Sequence, residues 1–418
     1  MDMTTAHGLI WLMAGLTTAA VIARPFGWPE AVWAVLGAAV IVVAGLLPLP
    51  LALQALGKGT DVYLFLIGMM LLSEVARREG VFDWVAELAI VHARHSPRRL
   101  FLLIYVVGVI VTAIMSNDAT AVVLTPAVFA AAKKAKLEPL PYLFICAFVA
   151  NAASFVLPIS NPANIVLYGG HTPPLISWLE SFALPSLLSI AATYLMLRWV
   201  LRKDLGERFD GTTENLVLSR GGRTALAGIA VTAAALVTVS VLDVRLGLPT
   251  AVLGIATGLA VLVRKREGPW RLVREVSWSV IPLVGGLFIL VEAVGTTGFI
   301  DQLAALLTQS VAQSQQLAAV LSGAVIALAS NVFNNLPIGL IAAATIEAAK
   351  PPQVVTDALL IGVDLGPNFS VSGSLATILW LLAIRREGED VGYWRFLKVG
   401  LLVTPPALIL AIGARLLT

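Results

Sequence analysis

Four acidic residues lie beside or within long uncharged stretches: Glu74, Asp118, Glu292 and Asp364. An ionisable group at membrane depth is expensive, so it is read first as a proton carrier or a ligand. Asp118 stands within Met115-Ser-Asn-Asp-Ala-Thr120, and Asp364 just precedes Gly366-Pro-Asn-Phe-Ser-Val-Ser-Gly-Ser374, in register with Asn151. Pro158-Ile-Ser-Asn-Pro-Ala-Asn164 and Ser330-Asn-Val-Phe-Asn-Asn-Leu-Pro337 are likewise interrupted by Asn, Ser and Pro. Such segments break helices, and irregular backbone at that depth is tolerated only when buried in protein or lining a wet cavity. Their amides and hydroxyls both donate and accept hydrogen bonds. The candidate substrate contacts are therefore Asn117, Asn161, Asn164, Asn331, Asn334, Asn335, Ser372, Ser374 and Thr377, and the candidate proton carriers are Asp118 and Asp364. Glu74 and Glu292, each near a helix end ahead of a Gly turn, are expected to cap or brace the scaffold. No catalytic residue, metal site or cofactor is expected. Cys146 stands alone, His92-Ala-Arg-His95 lies in a basic, solvated stretch, His7 and His171 fall in loops, and Gly57-Lys58-Gly59-Thr60 lacks the rest of a phosphate-binding loop.

The elements that must hold these residues follow from charge scarcity. The chain has 418 residues, 58% hydrophobic and 13% charged. A soluble domain carries about 25% charged residues. Uncharged runs such as Ala31–Gly57, Thr224–Leu242, Leu246–Val263 and Leu365–Ile384 recur along it. Each is near the ~20 residues that cross a bilayer, which predicts an all-α polytopic membrane protein with about ten transmembrane helices. With the Arg198–Arg223 segment placed in the cytoplasm, all of the 28 Lys and Arg except Lys58, Arg245, Lys350 and Arg415 fall on the cytoplasmic side. The N-terminus is then outside. That placement requires 100–132 and 317–349 each to enter and leave by one face, as two re-entrant hairpins. Trp28, Trp270, Trp278 and Trp394 lie near charged loops, as interfacial belts do, and the basic loops suit anionic membrane lipids rather than nucleic acid.

The halves repeat in register. Glu74…Gly80…Asp83 matches Glu292…Gly298…Asp301 at an offset of 218. Ser116-Asn117 matches Ser330-Asn331 at 214, and Asn161-Pro-Ala-Asn164-Ile matches Ser374-Leu-Ala-Thr377-Ile at 213. Two inverted-topology repeats, 1–203 and 223–418, joined by a cytoplasmic linker at 204–222, are predicted, each with a re-entrant hairpin and a broken helix.

Ser116-Asn-Asp-Ala-Thr-Ala-Val-Val-Leu-Thr-Pro126, Ser160-Asn-Pro-Ala-Asn164, Ser330-Asn-Val-Phe-Asn-Asn-Leu-Pro337 and Asp364-Leu-Gly-Pro-Asn…Gly373-Ser-Leu-Ala-Thr-Ile-Leu-Trp380 resemble the arsenite efflux pump (arsenical pump membrane protein) family of the ion transporter superfamily. Asn368 stands where some of those relatives carry Lys. The resemblance implies efflux of arsenite and antimonite in exchange for protons, and that some members dock a soluble ATPase. Both substrates are uncharged trihydroxides at neutral pH. A lone Cys excludes a three-thiolate site within one chain, which leaves amide and hydroxyl recognition. A sodium/proton antiporter or a sodium-coupled carboxylate symporter of the same architecture remains the alternative. The four breaks contain no Lys or Arg, which disfavours the carboxylate, whereas Asp118 with nearby oxygens suits sodium. A membrane enzyme would need a nucleophile or a metal cluster, and the breaks supply neither.

Overall fold

The computed structural model describes residues 3–169, 172–205, 217–242 and 244–418. His171 and most of the predicted linker, 206–216, lie outside the described residues. The first half runs α1 (Met3–Ala23), α2 (Glu30–Val43), α3 (Leu49–Lys58), α4 (Thr60–Arg78), α5 (Val81–Ala93), α6 (Pro97–Met115), α7 (Asn117–Ala119), α8 (Thr125–Lys134), α9 (Leu140–Ala152), α10 (Pro162–Leu167) and α11 (Leu175–Val200). The second runs α12 (Arg220–Val241), α13 (Gly247–Lys265), α14 (Trp270–Glu275), α15 (Val280–Gly295), α16 (Phe299–Gln313), α17 (Gln315–Phe333), α18 (Asn335–Ala349), α19 (Gln353–Leu365), α20 (Leu375–Arg386) and α21 (Tyr393–Leu417). Among the described residues, seven helices are long and apolar enough to cross a membrane, or nine if the bent pairs α3–α4 and α15–α16 each count as one span.

Two shorter helices, α9 and α19, are enclosed by the others. Every residue of α9 is buried, as is nearly all of α19. A helix that is apolar all round must be enclosed, and α9 is packed beside α6, α8 and α20, while α19 is packed against α17 and α21. Lipid-facing helices show the converse. Leu16, Leu187 and Ile409 are among the large apolar side chains left exposed on α1, α11 and α21.

The scaffold crossing of α4 and α13 depends on small residues. A Cβ on Gly68 would overlap the Thr250 carbonyl, and one on Gly254 would overlap the Gly68 backbone. Close backbone approach of this kind replaces the hydrophobic drive that lipid removes. Gly68→Val should therefore lower the melting temperature of the detergent-purified protein, because overpacking costs about 1–3 kcal/mol. An unchanged melting temperature would show that the crossing is not tight.

Turn chemistry recurs in the two halves. Gly80 and Gly298 sit at φ +70° and +80° at the starts of α5 and α16, a conformation that glycine adopts without steric cost. The hairpin register differs from the sequence expectation. Ser330 and Asn331 lie inside α17, which runs unbroken to Phe333. The residue that interrupts this hairpin is Asn334, at φ 72°, and its counterpart in the first hairpin is Ser116, at φ 130°. The offset is then 218, the same as between Glu74 and Glu292. Pro337 explains the position, because its ring would clash with the Phe333 carbonyl if the helix continued. In the first hairpin a π-helical stretch, Thr120–Leu124, leads into Pro126 and widens the turn that proline would otherwise crowd.

A buried ion pair ties three elements together. Asp357 on α19 is fully buried and receives Arg415 Nε of α21 at 2.7 Å, Gln353 Nε2 at 2.7 Å and the Tyr168 hydroxyl, just past α10, at 2.8 Å.

Candidate functional site

Three of the four half-helix starts are capped by their own side chains. Asn161 Oδ1 accepts from the Ala163 amide at 3.0 Å, Asn334 Oδ1 from Leu336 at 3.4 Å, and Ser374 Oγ from Thr377 at 3.1 Å. Such caps satisfy amides that have no partner inside the helix. The fourth start, at Asn117, has Ser116 as its cap residue and no side-chain cap bond.

Many of the predicted contacts hold the breaks together. Asn331 Nδ2 donates to the carbonyls of Ala327 (2.8 Å) and Gly366 (3.0 Å), and its Oδ1 accepts from Ser370 Oγ (2.8 Å). Ser372 Oγ donates to the Asn331 carbonyl, Asn334 Nδ2 to the Ser372 carbonyl, and Thr377 Oγ1 to the Val371 carbonyl. Asn164 Nδ2 anchors the first broken helix through the Ser154 carbonyl at 2.9 Å. Asn331, Asn334, Ser372, Ser374 and Thr377 thus shape the second pair of breaks.

At the breaks, side-chain amides bond across the two halves. Asn161 Nδ2 donates to Asp364 Oδ1 at 2.8 Å, and Asn151 Nδ2 donates to Asn368 Oδ1 at 2.9 Å. Asn368 completes its own pairing by donating to the Phe148 carbonyl at 3.0 Å, so this neutral side chain is held as part of the core.

In and beside the breaks, five buried side-chain atoms lack any hydrogen-bond partner: Asn117 Oδ1, Asn151 Oδ1, Asn164 Oδ1, Asn335 Oδ1 and Asp364 Oδ2. All five are acceptors. A buried acceptor without a donor costs about 1–3 kcal/mol, so whatever satisfies these oxygens must carry donors or positive charge. Asn151 was not among the predicted contacts, and its register with Asp364 was the available signal.

Asp118 occupies the first turn of α7, and its carboxylate makes no hydrogen bond or ion pair with any described residue. It lines a cavity of about 70 Å³ with Ser116 and Pro162 of the breaks and Met69, Met70, Ser73 and Glu74 of α4. Glu275, Val276 and Ser277 close the same cavity. Glu74 is held bidentately by Arg77, at 2.6 and 3.0 Å, and Arg77 also reaches Glu275 at 2.7 Å. Its sequence counterpart Glu292 pairs instead with Lys58 at 2.9 Å and does not line the cavity. The two glutamates match in sequence and differ in surroundings.

Comparison with known proteins now adds to this geometry. The arsenical pump membrane protein of Escherichia coli is 27% identical over 424 residues, covering 96% of this chain and 98% of that protein. The arsenical pump membrane protein of Yersinia enterocolitica is 27% identical over 421 residues, 97% of this chain and 94% of that one. An uncharacterized transporter of Mycobacterium tuberculosis is 26% identical over 374 residues, 85% of each chain. Among solved structures, the Alcanivorax borkumensis YdaH transporter superposes with a TM-score of 0.58 at 14% identity, covering 87% of this chain and 86% of that one. Neisseria gonorrhoeae MtrF, described with a class of antimetabolite efflux pumps, superposes at 0.57 and 12% identity, covering 98% and 94%. Both share the fold of this helical membrane protein. The family described as citrate transporter (CitMHS) matches residues 10–367, most of the chain, and the chain belongs to that family of membrane transporters.

Proposed function

We propose that the protein exports arsenite and antimonite across the bacterial cytoplasmic membrane in exchange for protons. In this reading its halves are inverted repeats, and both the N-terminus and the returning ends of the second hairpin lie outside. The observation that carries the reading is the set of five buried oxygens in and beside the breaks that lack a hydrogen-bond donor. An arsenic or antimony trihydroxide brings three O–H donors, whereas a carboxylate such as citrate brings acceptors and negative charge. The name of the Escherichia coli and Yersinia enterocolitica relatives, arsenical pump membrane protein, supports the same choice. Sodium/proton exchange is the second reading, favoured by the same oxygens because they are hard ligands.

Proton and substrate compete at Asp118. The carboxylate accepts either a proton or a substrate O–H, so protonation from outside favours release there and deprotonation inside resets the site. Glu74 and Glu275 border the same cavity and provide its proton access. Glu74→Gln should slow uptake driven by a pH gradient about tenfold, equivalent to ~1.4 kcal/mol in the barrier. It should leave arsenite/arsenite exchange at equal pH intact. Equal slowing of both modes would place Glu74 in the scaffold alone.

The deciding experiment uses purified protein in liposomes. An imposed pH gradient should drive arsenite movement, and arsenite should evoke a pH change that sodium does not. A sodium-evoked pH change without an arsenite response would replace the proposal with the second reading.

A further inference from the structure

Several basic residues at the helix ends have an acidic partner. Arg77 and Arg78 pair with Glu275, Arg78 also with Glu267, Lys133 with Glu389, Lys134 with Glu87, Lys265 with Glu79 and Arg385 with Asp390. Arg98, Arg198 and Arg202 are different. The three converge on one open cavity of about 290 Å³ whose other walls are Leu195, Trp199 and Leu205, with no acid among the described lining residues. Arg98 stands in the first turn of α6, Arg198 in the last turn of α11, and Arg202 just beyond it. Two of the guanidinium groups are held in place rather than trailing in solvent. Arg198 donates to the Tyr194 hydroxyl at 3.1 Å and lies over its ring, and Arg202 lies 5.5 Å from the centre of the Trp199 ring.

Three like charges around one space repel each other unless an anion lies between them. Guanidinium forks match phosphate oxygens in geometry as well as charge. The apolar wall narrows the class further, since Leu195 and Trp199 are 57% and 51% exposed on a membrane helix. An anion that also wants an apolar flank is an amphiphile. We propose that this cavity binds the phosphate headgroup of an anionic phospholipid, with its acyl chains lying along Leu195 and Trp199. Basic pockets between membrane helices are suited to such headgroups. The site would tie the start of α6, which leads directly to Ser116 and Asp118, to the end of α11. The Tyr105 hydroxyl already joins these two helices at the Ile190 carbonyl, 2.7 Å away.

The test uses the delipidated full-length protein in detergent, with no reference to its transport activity. Phosphatidylglycerol or cardiolipin should raise the melting temperature and remain bound in native mass spectra, while phosphatidylcholine and inorganic phosphate should do neither. Arg98→Gln and the double variant Arg198→Gln/Arg202→Gln should weaken anionic-lipid binding about fivefold for each guanidinium removed. Arg386→Gln/Arg395→Gln, which removes two exposed charges elsewhere, should leave it unchanged. Equal stabilisation by phosphatidylcholine, or equal loss in that control, overturns the proposal. Inorganic phosphate binding as well as the lipid would also overturn it, as a free-phosphate site. The wild-type comparison of lipids decides the matter even if a variant fails to fold.

Discussion

Asp118→Asn should abolish pH-gradient-driven arsenite uptake into everted membrane vesicles with an acidic interior. The substitution preserves size and one acceptor oxygen but removes the charge and, with it, the ability to bind and release a proton. Asp118 is the residue for which that change is cleanest, because no side chain is paired with it and nothing structural is broken. It also faces the cavity and opens the one half-helix that lacks a side-chain cap. Removing a positioned proton-transfer group typically costs about 10²–10⁴-fold in rate. A loss of at least about 10² is expected at every pH tested. Asp364→Asn should also lose coupled uptake, by a different route. Asp364 is fully buried and shares Oδ1 with Asn161 across the halves, so the variant alters a bond between halves as well as a carrier. If both variants keep the wild-type pH dependence, neither acid carries the proton.

The second large effect is on stability. Arg415→Leu should lower the unfolding free energy by about 3–5 kcal/mol, the cost of leaving a buried charge without its partner. Asp357 has no exposed surface, and among the described residues Arg415 supplies its only cationic contact, at 2.7 Å. Adding Asp357→Asn to Arg415→Leu should recover most of that loss. The neutral amide oxygen still accepts from Tyr168 and Gln353, whose bonds to Asp357 measure 2.8 and 2.7 Å. Thermal unfolding of the four proteins forms a double-mutant cycle. Additive losses would show that the pair is not coupled, whereas strong compensation would locate the stability in the charge balance.

Much of the architecture was legible in the chain because membrane helices obey local rules. Span length, scarcity of charge, and Pro and Gly placement are all properties of short windows. Gly80 and Gly298 could be matched by eye, and both proved to be left-handed turn residues. The second hairpin was misregistered at Ser330-Asn331 for a physical reason. Asn331 bonds its amide to the Ala327 carbonyl four residues back, and it is Pro337, acting on Phe333, that stops the helix. Residue type alone did not distinguish an Asn that ends a helix from one that lies within it.

The same limit applies to the site. The sequence by itself determined that this is a helical membrane protein, which four segments contain its breaks, and that a few acids and many amides lie in or beside them. Only the tertiary structure decided which of those amides are engaged in holding the breaks and which oxygens stay unpaired. It also decided that Glu74, rather than Glu292, shares a cavity with Asp118, and that Arg415 meets Asp357 across 58 residues of chain. Composition and spacing fix what each segment can bond, but a hydrogen bond or ion pair forms with whatever the packing brings within about 3 Å.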